Sequence, residues 1–440
     1  MKKLPLFAFM LVSGVTWTMA QTNPESTRFK LITLEPGHFH AALVQNVMYP
    51  DVDPVVHVYA PAGEDLREHL KRIEMFNNRA NQPTHWQEQV YSSPDFLERM
   101  LVEKNGNIVV IAGNNLRKTD YILKSVQAGL NVLADKPMAI TPQDLEKLRR
   151  AFAIAASKNV RLYDIMTERF EVTTELQREL SRHSELFGVL EKGSLESPAV
   201  EMKSVHYFSK TVAGVPLMRP QWFFDTRQES EAVTDVATHL VDLVQWEAFP
   251  DQVLTPADAK VLNARRWTTP ITREQFQKVT GAAEFPAFMG NDVRDNVLQV
   301  YANGEFNYRL RGILAKVTAC WDFEAPPGSG DTHFCIMRGT KANLAIRQAA
   351  EQKFKPTLYV VKNGDGADSA FENTLRNAMG LLEKQFPDVG FQRDGSAWRI
   401  TIPEKNDVGH EAHFSRVTEK FLSCLRAGKL PDWEMPNMLV

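Results

Sequence analysis

The chain has 440 residues, 43% of them hydrophobic, with 51 Lys and Arg against 54 Asp and Glu for a formal charge of −3. So balanced a charge gives no electrostatic footprint for nucleic acid. The length exceeds what one hydrophobic core usually organises, so two domains are expected.

The first residues read as an export leader. Lys2 and Lys3 form a basic start, Leu4 to Val15 is almost wholly apolar, and Thr18-Met19-Ala20 is a small-residue cleavage site. The apolar stretch falls short of the ~18 residues a bilayer needs. Residues 1–20 are therefore expected to be a signal peptide and the mature chain to be periplasmic, with no membrane insertion. Cys320, Cys335 and Cys424 are too few and scattered for a disulfide framework or a zinc knuckle. Export leaves a Cys320–Cys335 bridge open, although both cysteines read as small apolar groups in strands.

From residue 29 to about 165 strand and helix patterns alternate. Apolar runs at 29–34, 55–59, 107–112, 131–134 and 160–164 are separated by amphipathic helices. Continuous apolar strands divided by such helices mean a parallel sheet covered on both faces, with a nucleotide crevice at the carboxyl ends of its strands. Over 166–440 the texture changes. Strands are expected at 200–208, 261–267, 297–302, 306–311, 316–323, 332–338, 342–347, 357–361 and 397–402, several joined by hairpin turns such as Asn303-Gly304. Helices near 231–248, 370–385 and 411–426 are expected to cover one face. The fold class is α/β: a doubly wound domain, then an α/β domain with an open, mostly antiparallel sheet.

Two motifs carry the chemistry. Asp135-Lys136-Pro137 ends a strand, where proline stiffens the turn and directs the ammonium into the crevice. A hundred residues on, Asp235-x-x-x-His239 places a carboxylate and an imidazole on one helical face. His239 suits proton transfer because the unperturbed pKa of a histidine lies close to neutral. In this order the motifs resemble the Glu-Lys-Pro and Asp-x-x-x-His motifs of the Gfo/Idh/MocA family of NAD(P)-dependent sugar oxidoreductases. The resemblance is good from residue 29 to about 250 and weak beyond.

What the resemblance implies is a Rossmann domain binding NAD or NADP, with Lys136, Asp235 and His239 catalytic. Gly37, His38, Phe39, Asn114, Asn115, Asp135, Lys136 and Arg169 would meet the cofactor, and His40, Arg219, Trp222 and Asp235 the substrate. The phosphate fingerprint is degraded, because Glu35-Pro36-Gly37-His38-Phe39-His40 keeps only its middle glycine. Glu64 and Asp65 come a few residues late for a ribose-gripping acid. At a helix start His38 and His40 point to different sides, so no metal is expected. The expected function is oxidation of a sugar, glycoside or cyclic polyol hydroxyl. An NAD-dependent glycosidase working by transient oxidation and elimination, and a non-catalytic carbohydrate-binding protein, are the alternatives. A homo-oligomer through the second sheet is also expected. Since free dinucleotide is scarce outside the cytoplasm, an exported enzyme would hold its cofactor tightly. Arg67, Lys71, Arg72, Asn77, Asn78, Arg79, His85 and Trp86 are the candidate clamp.

Overall fold

The computed structural model describes residues 28–212 and 215–440; the expected leader over 1–20 lies outside the described residues. The first sheet contains β1 (Leu31–Leu34), β2 (Val55–Tyr59), β3 (Gln87–Tyr91), β4 (Ile108–Ile111), β5 (Asn131–Asp135) and β6 (Leu162–Ile165). Its order is β3-β2-β1-β4-β5-β6 and every pairing is parallel, the doubly wound arrangement. Between the strands run α1 (His40–Leu43), α2 (Glu64–Asn78), α3 (Phe96–Glu103), α4 (Lys118–Gln127) and α5 (Pro142–Ser157). The edge strand β3 was not legible beforehand. Its residues are largely polar and half-exposed, and it forms by pairing with β2, with Tyr91 stacked on Tyr59 at 4.5 Å.

After α6 (Val172–Ser181) come β7 (Val200–Ser209), the small ribbon β8 (Thr211–Val212) with β9 (Val215–Pro216), then α7 (Ala232–Ala248) and β10 (Ala259–Ile271). Next are α8 (Arg273–Thr280), β11 (Val293–Arg294), β12 (Val297–Leu310), β13 (Ile313–Glu324), β14 (Thr332–Arg338), β15 (Ala342–Gln348) and β16 (Thr357–Lys362). The chain ends with α9 (Asp368–Leu382), β17 (Gly390–Asp394), β18 (Ala397–Thr401), α10 (His410–Ala427) and α11 (Glu434–Met438). The second sheet runs β10-β12-β13-β7-β14-β15-β16-β18-β17, antiparallel except where β13 meets β7. The two halves thus have the architecture expected of them.

Two expectations are corrected. Asn303-Gly304 makes no hairpin: β12 runs straight through it, and the chain reverses at Arg311-Gly312, both at positive φ. Gly304 is there for space, because a Cβ would lie 2.8 Å from Val233 of α7. Second, α10 does not cover the second sheet. Phe414, Val417, Phe421 and Leu422 pack into the core of the first, with Leu31, Val56, Ile108 and Tyr163. Cys320 and Cys335 are free and sit in strands, in keeping with their reading as small apolar groups, and β7 lies between those strands.

Phe421 is fully buried and stacks on Tyr163 at 5.8 Å. Phe421→Ala should therefore cost about 3–5 kcal/mol of stability, read from urea unfolding midpoints. A loss below about 1 kcal/mol would show that α10 is not part of the first domain's core.

Candidate active site

The crevice lies where the strand order reverses, between β1 and β4. Lys136 follows β5 directly and is 6% exposed; its peptide bond to Pro137 is cis. The Lys136 ammonium donates to the Asp235 carboxylate and, at 2.8 Å, to the Asp235 carbonyl. Asp235 stands in the first turn of α7 and His239 one turn further on. Buried Val236, Leu240, Leu243 and Val244 fix α7 to the second domain's core, and Trp321 Nε1 donates to the Ala232 carbonyl at 3.0 Å. The two motifs separated by a hundred residues meet in one ion pair.

Burial works to lower the Lys136 ammonium, but Asp235 and Asp135 outweigh it and hold it above its ordinary value. Burial also works against the Asp235 charge, yet Lys136 pulls that carboxyl far below the usual range. Both are ionised at neutral pH. His239 is pushed down to about 4 by burial and then by the Lys136 charge, so its imidazole is a neutral base. Its Nδ1 is buried with no hydrogen-bond partner. Buried polar atoms seldom go unpaired in native proteins, so this nitrogen is available to a ligand.

Several groups around the pair were not singled out from the sequence. Lys118 is buried and donates to the Asp135 carbonyl at 3.1 Å. Glu229 accepts from Asn115, and burial, then Asp235, drives its carboxyl well above the ordinary range. His410 Nδ1 lies 3.5 Å from Glu168, whose carboxylate also feels His239, His413 and His333. Asp331 holds His206 at 3.1 Å and Lys210 at 2.8 Å. Only Glu168, next to the conspicuous Arg169-Phe170, carried any local signal.

Other expected contacts are spent elsewhere. Arg169 forms a buried network with Asp242 and with Glu434 at 3.0 Å, fastening the domain junction instead of a cofactor. Arg219 is buried, gives its guanidinium to the Phe208 and Tyr207 carbonyls, and lies over the Phe223 and Trp321 rings, so it has no reach to a substrate. Asn114 and Asn115 bond across to Gln228 and Glu229. The clamp is corrected too. Arg67 and Lys71 pair with Glu64 and Glu68 on α2, Arg72 lies over the Phe39 ring, Asn77 holds the Trp86 backbone, Arg79 meets the Gln82 carbonyl, and Trp86 donates to Gln45. These bonds brace α2 and β3.

His38 and His40 also depart from expectation. Helix α1 begins only at His40, and the Gly37 and His38 amides both donate to the Ala112 carbonyl, at 3.2 and 3.1 Å. This turn brings both rings onto Asp135, with His40 Nδ1 at 2.9 Å and His38 Nδ1 at 3.6 Å from Oδ2. The rings converge because the chain is still a turn at His38, ahead of the helix whose geometry would make them diverge.

A cavity of about 260 Å³ opens beside Gly37, lined by Glu35, Pro36 and residues 60–66 at the ends of β1 and β2. In a doubly wound fold this is the nucleoside end of the crevice, and carboxylates there suit ribose hydroxyls. Trp222 packs over Gly37, where a Cβ would lie 3.1 Å from its ring, and donates to Asp65 at 2.9 Å. The residues fit a nicotinamide dinucleotide at the ribose and at His239. A larger cavity, about 660 Å³, lies on the other flank of α7 between Val241, Arg265 and Met438, and none of Lys136, Asp235 and His239 lines it.

Comparison with known proteins agrees with this geometry. Residues 38–164 match the family described as "Oxidoreductase family, NAD-binding Rossmann fold", and residues 176–440 match the "Putative oxidoreductase C terminal domain". A crystal structure described as that of "a putative oxidoreductase from Parabacteroides merdae" shares 51% identity, covers 94% of this chain and 95% of its own, and superposes with a TM-score of 0.92. A levoglucosan dehydrogenase solved with NADH and levoglucosan is 14% identical over 93% of each chain, with a TM-score of 0.56. KijD10, a 3-ketoreductase from Actinomadura kijaniata solved with NADP, is 11% identical over 93% of this chain and 94% of its own, with a TM-score of 0.53. These last two share the fold. No curated protein matches the chain. Two matched family models and a half-identical relative place this chain in the Gfo/Idh/MocA family of NAD(P)-dependent oxidoreductases.

Proposed function

We propose that this oxidoreductase acts on a hydroxyl of a carbohydrate or cyclic polyol. The observation that carries the reading is the charged Lys136–Asp235 pair beside a neutral His239 with an unsatisfied ring nitrogen. A nicotinamide dinucleotide, when bound, supplies the hydride acceptor. His239 takes the hydroxyl proton as the carbon is oxidised, and the Lys136 ammonium stabilises charge growing on that oxygen. Asp235 keeps the ammonium charged and in place. The imidazoles and carboxylates around Glu168 and Asp331 suit a substrate with several hydroxyls, and the levoglucosan complex of a fold relative is in keeping with this.

The carboxylates of Glu35, Glu64 and Asp65 at the nucleoside cavity favour NAD, since they would repel a 2′-phosphate. Slow cofactor exchange follows from Trp222, which bridges to Asp65 across the crevice and must swing away to admit or release a dinucleotide. This replaces the α2 clamp as the means of retention, and with the export leader it fits a periplasmic enzyme that recycles its cofactor. One observation favours the elimination reading as well. The crevice holds a second acid–base pair, His410 with Glu168, beyond what oxidation alone needs. Release of an aryl leaving group from a glycoside with no net NADH would select it.

Removing a general base costs about 10²–10⁴-fold in rate. His239→Ala should thus lower kcat by that factor while leaving NAD affinity within a few-fold, measured by steady-state kinetics and cofactor titration; intact turnover would overturn the assignment. Because a depressed base stays unprotonated down to its own pKa, wild-type kcat should hold level as pH falls from 7 and drop only near about 4. An acid limb near 6.5, absent from His239→Ala, would show an exposed histidine instead. Trp222→Phe should speed the loss of bound dinucleotide on dialysis, followed by nicotinamide absorbance; unchanged retention would dismiss the bridge as the gate.

A further inference from the structure

The β1–α1 turn keeps one glycine of the phosphate fingerprint and carries two histidines, His38 and His40, whose rings are directed at one carboxylate. One ring nitrogen from each of His38 and His40 and an Asp135 carboxylate oxygen lie within 4.8 Å of one another. The imidazoles meet edge to face with centroids 3.9 Å apart, an arrangement that lets two ring nitrogens approach one point. Each member is held from behind. The His40 ring packs on Phe414 of α10 at 4.6 Å, the Ala112 carbonyl fixes the turn, and the Lys136 amide occupies Asp135 Oδ1 at 3.0 Å, leaving Oδ2 to the imidazoles.

The hydrogen bonds leave one contact unresolved. The His40 amide donates to His38 Nδ1 at 3.4 Å, so that nitrogen is an acceptor. It stands 3.6 Å from Asp135 Oδ2, another acceptor. The long 3.4 Å contact pairs that nitrogen only weakly beside a carboxylate oxygen, and a cation between the two would satisfy both.

We propose that His38, His40 and Asp135 bind one divalent first-row transition ion, zinc by preference. Two imidazoles and one carboxylate are the three-ligand set of open zinc and iron sites, which keep a coordination position for a further oxygen. Here that position adjoins the crevice, since Asp235 and Lys136 act electrostatically on both histidines. The site would give a sugar oxygen an anchor beside the oxidised carbon. The inference goes beyond the dehydrogenase reading and stands or falls separately from it, because it is read by metal binding.

The test uses the untagged full chain, stripped with a chelator and dialysed. Titration with Co²⁺ should give visible ligand-field bands saturating at one ion per chain, and stoichiometric Zn²⁺ should displace them and raise Tm. His38→Gln, at the least buried of the three positions, should retain the metal-free Tm and weaken Co²⁺ binding by more than the ~10–100-fold that losing an outer partner costs; Asp135→Asn should do the same. Absence of saturable bands in the unmutated chain would overturn the proposal whatever the variants do. So would binding that persists unchanged in both variants, which would place the ion elsewhere.

Discussion

The ion pair between Lys136 and Asp235 is the constraint on which the crevice depends. It ties the end of a parallel strand in one domain to the first turn of a helix in the other, and both partners are almost removed from water. A buried pair of this kind contributes little net stability over an apolar contact, but losing one partner leaves the other stranded at a cost of about 3–5 kcal/mol. Its value is positional. Burial first and the Lys136 charge second hold the neighbouring His239 neutral, against the opposite pull of Glu168 and Asp235, so its imidazole is unprotonated where the two domains meet.

The same junction is reinforced in layers. Asn114 and Asn115 reach from the end of β4 to Gln228 and Glu229, and Trp222 reaches back to Asp65. Deeper in, Arg169 binds Asp242 on α7 and Glu434 in the last helix. Helix α10 then closes the arrangement from outside, seating Phe414 against His40 and Phe421 against Tyr163. A segment late in the sequence therefore completes the core of the first domain and backs the turn that a dinucleotide must pass.

That turn shows how a fingerprint can be lost while the crevice survives. Gly37 keeps the one position where a side chain would collide with Trp222 and Asp65. Of the other two glycine positions, one has become Glu35 and the other His40, whose ring, like that of His38, has Asp135 as its partner. Aspartate here, where relatives carry glutamate in the strand-end motif, is shorter by one methylene and is engaged by His40 at 2.9 Å.

What the sequence by itself determined follows from periodicity and local stiffness. Continuous apolar runs such as Ile108-Val109-Val110-Ile111 can only be buried parallel strands, and proline after Lys136 directs that side chain. The four-residue spacing of Asp235 and His239 places them on one face of α7, and the apolar register Val236, Leu240, Leu243 and Val244 says which face is buried. Tertiary structure decided what spacing cannot encode. Lys136 meets Asp235 across 99 residues, His40 meets Asp135 across 95, and Arg169 meets Glu434 across 265. Arg169 and Arg219 looked like ligand-binding cations because a guanidinium announces charge but not its partner; folding gave one to carboxylates and the other to backbone carbonyls. Asn303-Gly304 looked like a turn because the dipeptide permits one, yet the glycine answers to Val233, a neighbour that exists only once α7 has packed on the sheet.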